Sequence, residues 1–355
     1  MAIAAKTLED FAAAIIAAAG SSEYEAREVA RHLVEANLKG HDSHGIGMIP
    51  TYVKNVQAGL LHPNRHARLI SETGALALFD GDMGYGQVIA REVADWGIAK
   101  TKALGLAATG LRNTHHVARV GTYGEQAAEA GLVSIHFVNV LIAPGRVAPF
   151  GGSEGRYGTD PICITFPGSA GAPPVVLDFA TSRIAAGKIR VALNQGKRLD
   201  PGTLIDSEGR DSTDPAAFFA RDGKGASILP FGEHKGSGLA LAAQLMAGVL
   251  TGGGVMQSDL PERGVKNGMF SIFIDPARFG EAATMERDRS TLIQWVKSAA
   301  PRPGVDAVLV AGEPERLSRQ KRSKDGIPVD AATWRGLVEA ARLVGVEEPR
   351  IPADS

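Results

Sequence analysis

Two imidazoles, a carboxylate and a hydroxyl occupy four consecutive positions in His41-Asp42-Ser43-His44, flanked by Gly40, Gly45 and Gly47 and closed by Pro50. Histidine changes charge near neutrality, so two such rings beside a carboxylate and a hydroxyl suit acid/base work. Neighbouring glycines let a ligand approach the backbone. The same residue types also read as turn caps with surface histidines around them. A second concentration is Arg112-Asn113-Thr114-His115-His116-Val117-Ala118-Arg119. Paired histidines between two arginines suit an anionic ligand at a helix N-terminus, or else form a solvated loop.

The elements that must position these groups follow from periodicity. Val29, Leu33, Val34 and Leu38 fall on one helical stripe, Ser22 stands three residues before Glu25, and Gly40 stops the run; the spacing predicts a helix over 23–39. His41 to His44 therefore leave a helix end on irregular backbone. An Ala-rich helix over 7–19, capped by Thr7, is expected before it. The second loop joins a strand near 106–111 to a helix that ends at Gly131, with a strand over 132–138 beyond. Strands are also predicted at Ile162–Phe166, after Gly158-Thr159-Asp160-Pro161, at 174–178 and at 305–310. Asp178, at a strand end, is a helix cap or the partner of a buried cation. His234 and Lys235 front an almost wholly apolar helix over 239–250 that is expected to be buried, so they mark either an anion site or an exposed loop. The stretch 194–227 reads as a polar surface excursion, and the basic run 316–324 as a solvated face.

Composition removes several classes. With 38 basic against 39 acidic residues, the chain has no net field to attract nucleic acid or an anionic membrane. Its one cysteine, Cys163, lies in an apolar run, which excludes an internal disulfide and a thiolate metal cluster. No uncharged run approaches the ~18 residues of a membrane span, and the first residues lack a signal-peptide pattern; a cytoplasmic protein is expected. The glycines at 81, 84 and 86 read G-x-x-G-x-G, whereas a Rossmann loop needs G-x-G-x-x-G. A nicotinamide cofactor, if bound, is not held by a doubly wound fold.

The motifs at 40–45, 115–121, 158–161, 178–182, 234–238 and 312–315, in that order, resemble the malate/L-lactate dehydrogenase family of the non-Rossmann type. That family also includes ureidoglycolate, sulfolactate and diketogulonate enzymes and an imino-acid reductase. The resemblance implies an α/β fold of the α+β type. A helical domain would be formed from both chain ends, 1–75 completed by about 283–355. A largely antiparallel NAD(P)-binding sheet domain would span 76–282, with a smaller inserted element near 185–260. It implies an oxidoreductase that uses NAD or NADP to interconvert a 2-hydroxy acid and its 2-oxo acid, in a homodimer.

His44 matches the family's acid/base, beside Ser43, and Asp178 is expected to hold or charge it. His116 and Thr159 would sit around the substrate. Thr159 and Asp178, with Phe179, Ala180, Thr181, Ser182, His234, Lys235, Gly312 and Glu313, fall where the family contacts its cofactor. Many members carry Arg where this chain has Met48, and Met48 cannot clamp a carboxylate. Arg119, or failing it Arg112, is expected to replace it, and the thioether to leave room for a bulkier aryl 2-oxo acid. The alternatives are a metal-dependent hydrolase or lyase over His41, His44, His115 and His116, a reductase of a cyclic imino acid, and a non-catalytic small-molecule binding protein.

Overall fold

The computed structural model describes residues 1–169, 171–220, 225–260 and 264–349. Strand β1 (Ala2–Ile3) leads into helices α1 (Ala5–Ala18) and α2 (Glu23–Leu38). Two 3-10 turns, Asp42–His44 and Ile46–Met48, then run into α3 (Ile49–Gln57). The hairpin β2 (Arg68–Thr73) and β3 (Leu76–Asp80) is followed by α4 (Gly86–Leu104), β4 (Leu106–Thr114), α5 (Gly121–Glu129), β5 (Val133–Leu141), β6 (Ile162–Phe166) and β7 (Val175–Phe179). A smaller unit contains α6 (Ala186–Asn194), β8 (Leu204–Ile205), β9 (Asp211–Ser212), α7 (Pro215–Phe218) and β10 (Ser227–Ile228). The chain continues through α8 (His234–Ala243) with a π-helical extension Gln244–Val249. It ends with β11 (Lys266–Ile274), α9 (Ala282–Lys297), α10 (Glu313–Asp325), β12 (Ile327–Pro328) and α11 (Ala331–Leu343).

Seven strands form the main sheet in the order β2-β3-β4-β11-β5-β6-β7. Only β3 and β4 pair in parallel; the other neighbours are antiparallel. The fold is thus mixed α/β with the largely antiparallel sheet expected. Four apolar clusters hold the described residues together, the smallest of them Ala94, Ala127, Leu132 and Phe273. Leu8, Phe11, Ile15, Val29 and Leu33 pack with Trp334 and Leu337, joining the two chain ends in one helical core. Ile89, Val93, Leu111, Tyr123, Cys163 and Met269 form the core of the sheet, so Cys163 is the buried strand residue expected. Val147, Ile189, Leu204, Phe218 and Ile228 form a third core. The stretch over 194–227 is therefore a small folded unit and not merely a polar excursion.

Ser22 Oγ accepts the Glu25 N–H at 3.3 Å, as expected. The reciprocal half of the capping box does not form, because the Glu25 carboxylate takes Ser21 Oγ at 2.7 Å and the Asn64 N–H at 2.8 Å. Helix α1 starts before Thr7: β1 pairs with β12, and the chain enters the helix at Ala4 without a side-chain cap. Residues 305–310 are not a strand. Val305 and Leu309 are exposed, and the Val310 N–H goes to the Glu313 carboxylate at 2.9 Å. An apolar run does not become a strand without a neighbouring edge to pair with. The helix over 239–250 begins earlier, at His234, and is not buried all round. Ala240, Ala243, Ala247 and Gly248 face the sheet while Leu241, Leu245, Val249 and Leu250 are exposed. Its small residues make the close approach, for a Cβ on Gly248 would lie 2.7 Å from Asn139 Nδ2.

Candidate functional site

The first loop is held at its root. Asn37, buried near the end of α2, donates from Nδ2 to Asp42 Oδ1 at 2.7 Å and accepts the Ile46 N–H at 2.9 Å. Arg322 reaches from α10 and forks onto Asp42 at 2.6 and 3.1 Å, while His41 Nε2 lies 3.2 Å from Glu315 Oε1. The basic run is thus not simply solvated: Arg316 donates to Pro174 O, Arg319 to Glu35 and Arg322 to Asp42. Fixed this way, the loop presents Ser43 Oγ 2.9 Å from His44 Nδ1. Asp42 serves the loop's geometry, and Ser43 and His44 line the cavity described below.

The second loop leaves β4, and the Val117 N–H is fixed by Asn267 Oδ1 at 2.9 Å. It brings His116 against His44, with ring centroids 5.5 Å apart and planes 23° from parallel. Tyr52 on α3 lies with its hydroxyl 2.8 Å from His116 Nδ1, and Gln87 Nε2 donates to that hydroxyl at 2.9 Å. His115, by contrast, is buried, with Nε2 at 2.9 Å from Asn55 Nδ2.

Both facing imidazoles are neutral. Burial, then the charges of His41, Arg119 and Lys188, takes the His44 pKa down to about 4. Burial, then His44, His115 and His32, takes His116 well below its usual value.

The expected contact between Asp178 and His44 is replaced by another. Asp178 Oδ2 accepts the Gly121 N–H at 2.8 Å, capping α5, and lies 3.6 Å from Arg119 Nε. It is both cap and cation partner, on a helix that does not follow it in sequence. The α5 N-terminus is therefore filled by the chain itself. Burial raises the Asp178 pKa, with Arg119, His41 and the Gly121 N–H acting against it. Arg119, 3% exposed, also donates to Glu125 at 2.9 Å. Burial alone would lower its pKa, and the two carboxylates more than offset it. Arg119 is thus held by two carboxylates where it lines the cavity, whereas Arg112 is tied to Asp80 at 3.1 Å and does not line it.

These groups open on one cavity of about 1020 Å³. Ser43, His44, Met48, His116, Arg119 and Thr159 line it, with Asp178, Phe179, Ala180 and Ser182. Thr181 is buried behind them, its hydroxyl donating to Thr159 O at 2.9 Å. His234, Lys235, Gly312 and Glu313 do not line it: His234 packs on Phe150 with centroids 5.9 Å apart, and Glu313 accepts from Lys297 and the Val310 N–H. In the sequence Tyr52 and Gln87 pass as core residues of amphipathic helices, and nothing there marks the far wall of the cavity. There Lys188 belongs to a helix so close to the first loop that a Cβ on Gly187 would lie 2.8 Å from Ser43 Cα. Arg190 stacks on Phe219 at 4.5 Å, and Arg146 on Phe218 at 5.2 Å. The lining carries six Lys or Arg side chains against two carboxylates, Asp42 and Asp178, so it favours an anionic ligand. Among the described residues no three His, Cys, Asp or Glu side chains converge as a metal ligand set, and no helix is long and apolar enough to cross a membrane.

The family model for malate/L-lactate dehydrogenase matches residues 3–338. The chain is 43% identical over 352 residues to hydroxycarboxylate dehydrogenase B of Escherichia coli strain K12, covering 98% of this chain and 96% of that protein. Its fold is similar to that of malate dehydrogenase from Entamoeba histolytica, with TM-score 0.91, 26% identity and 99% of each chain covered. It is also similar to delta1-piperideine-2-carboxylate reductase from Pseudomonas syringae, with TM-score 0.82, 28% identity, 96% of this chain and 100% of the other.

Proposed function

This chain belongs to the malate/L-lactate dehydrogenase family, and on that premise we propose that it interconverts a 2-hydroxy acid and its 2-oxo acid with NAD or NADP, His44 acting as general acid and base. The observation that carries this reading is the pairing of His44 Nδ1 with Ser43 Oγ at the mouth of a cationic cavity. A hydroxyl can donate or accept, so Nδ1 keeps a partner in either protonation state and Nε2 is left for substrate. His44, its pKa taken down to about 4, is neutral near pH 7, the form that takes a proton from a hydroxy acid. A bound carboxylate beside it raises its affinity for a proton, which Nε2 then gives to the alkoxide oxygen as the oxo acid is reduced.

The reduced nicotinamide, when bound, supplies the hydride. A cavity of about 1020 Å³ has room for that ring with an oxo acid. Thr159, Asp178, Phe179, Ala180 and Ser182 would hold the cofactor from the sheet side, with Thr181 fixing their backbone. His234, Lys235, Gly312 and Glu313 stand outside the cavity and have no part in this proposal. Lys188, close enough to lower the His44 pKa and with no acidic partner among the described residues, takes the substrate carboxylate in place of Arg119. Met48 and the phenylalanines of the far wall favour a bulky or aryl side chain.

We further propose a cytoplasmic homodimer, in which the second copy covers exposed Ile164, Phe166 and Leu177 of the outer strands and Leu241, Leu245 and Leu250 of α8 and its extension. Sedimentation of the purified chain tests the dimer. The reaction is tested by nicotinamide oxidation with pyruvate, oxaloacetate, hydroxypyruvate and phenylpyruvate under both cofactors; no turnover in any combination rejects the reading. A metal-dependent hydrolase over four histidines has less support, because His115 is turned to Asn55 and His41 to Glu315.

A further inference from the structure

His116 has one ring nitrogen engaged and one left over. Tyr52, which engages it, and Gln87, which donates to Tyr52, are 0% and 1% exposed, so no bulk water competes for their hydrogen bonds. An amide N–H can only donate. The Tyr52 oxygen that accepts it from Gln87 therefore turns its own proton to His116 Nδ1, which must present a lone pair. A neutral imidazole carries one proton, and with Nδ1 accepting, that proton sits on Nε2. The ring lines the cavity and faces His44.

We propose that Gln87 and Tyr52 fix His116 as an Nε2–H donor, and that this donor makes the site select a 2-oxo acid over a cyclic imino acid. The inference rests on the hydride-transfer reading above. A keto oxygen set in front of the edges of the two stacked rings takes a proton from His44 and a standing hydrogen bond from His116. The reactive, protonated form of a cyclic imine offers an N–H instead, and two donors then face each other with no acceptor between them. His44 differs in kind: its Ser43 partner can reverse, so its proton can move. Tyr52 and Gln87 are positioning residues that act only through His116. The reverse orientation of the Gln87 amide, oxygen toward Tyr52, would send the Tyr52 proton to the amide and place the His116 proton on Nδ1.

The test is a long-range proton–nitrogen correlation spectrum of the 15N-labelled full chain, with His116 assigned by its loss in His116→Asn. One tautomer with the proton on Nε2 is expected; a proton on Nδ1 overturns the proposal. Tyr52→Phe keeps the ring in its cluster with Tyr85 and His115 and removes only the hydroxyl. In that variant both tautomers are expected. The kcat/KM for phenylpyruvate should fall about tenfold while that for delta1-piperideine-2-carboxylate holds or rises, so their ratio contracts by about tenfold or more. An equal fall for both substrates overturns the selectivity. The oxo acid that the parent reduces best takes the place of phenylpyruvate where the two differ; if the parent reduces none of the four oxo acids with either cofactor, the hydride-transfer reading has failed, and the spectrum still decides the tautomer.

Discussion

The two loops that meet at the cavity are anchored in opposite ways. The loop of His44 is tied from outside, by Arg322 on Asp42 and Glu315 on His41, through groups that keep partial contact with water. The loop of His116 is tied from inside, by Asn267 in the central strand and by buried Tyr52 and Gln87. The outer ties place a ring and leave its proton state open, whereas the inner ones settle which nitrogen carries hydrogen. One imidazole is thereby suited to proton exchange and its neighbour to constant recognition.

Removing the exchanging ring should break this division most severely. His44→Ala is expected to lower kcat by about 10²–10⁴ with the fold intact by circular dichroism; turnover at the parental rate would mean that His116 does the proton work. Gly187→Ala comes next. The added methyl has no room beside Ser43, so α6 and the first loop must part, and a fall of about 10² in kcat/KM is expected from misplacement of His44. Lys188→Met should raise the KM for the oxo acid by about tenfold and spare kcat, because it removes an attraction present before and during reaction.

Arg322→Ala tests the outer anchor directly. It should lower thermal stability by about 1–2 kcal/mol and kcat/KM by a few-fold, a smaller effect than any change within the cavity. Acid should act on both loops together. The folded pKa values are about 4 for His44 and His115 and about 3 for His32 and His136, with His116 also well below 6.5. Above 6.5 neither state binds these protons and stability is level. Below it the unfolded chain takes them up first, so stability falls between pH 6.5 and about 4, by up to about 1.4 kcal/mol per unit for each histidine. Urea titrations across that range should show the slope; a flat profile would mean these rings ionise within the folded protein.

Much of this arrangement was legible in the residues. The density of His, Asp and Ser over 41–44 pointed to the site because no apolar element would carry it, and Ile162–Phe166 was readable as a strand because turns bound it on both sides. Less legible were groups whose meaning depends on a distant partner. Nothing in the sequence puts Glu125 and Asp178 around Arg119, and Asp178 caps a helix some 57 positions earlier in the chain. Tyr52 and Gln87 sit on helices where an aromatic ring or an amide reads as packing, and only the hydrogen bond between them shows otherwise. The run 239–250 is almost wholly apolar, and periodicity does not say which side of such a helix meets the sheet; the small residues decide it.

The fork of Arg322 on Asp42 spans 280 positions of sequence. A ribosome releases the first loop long before it makes the arginine that braces it, and the α2 terminus must wait for α10 to arrive. A nascent or C-terminally shortened polypeptide can hold Ser43, His44 and His116 and still lack the pocket's working shape, so competence is conferred late in synthesis, by the far end of the chain.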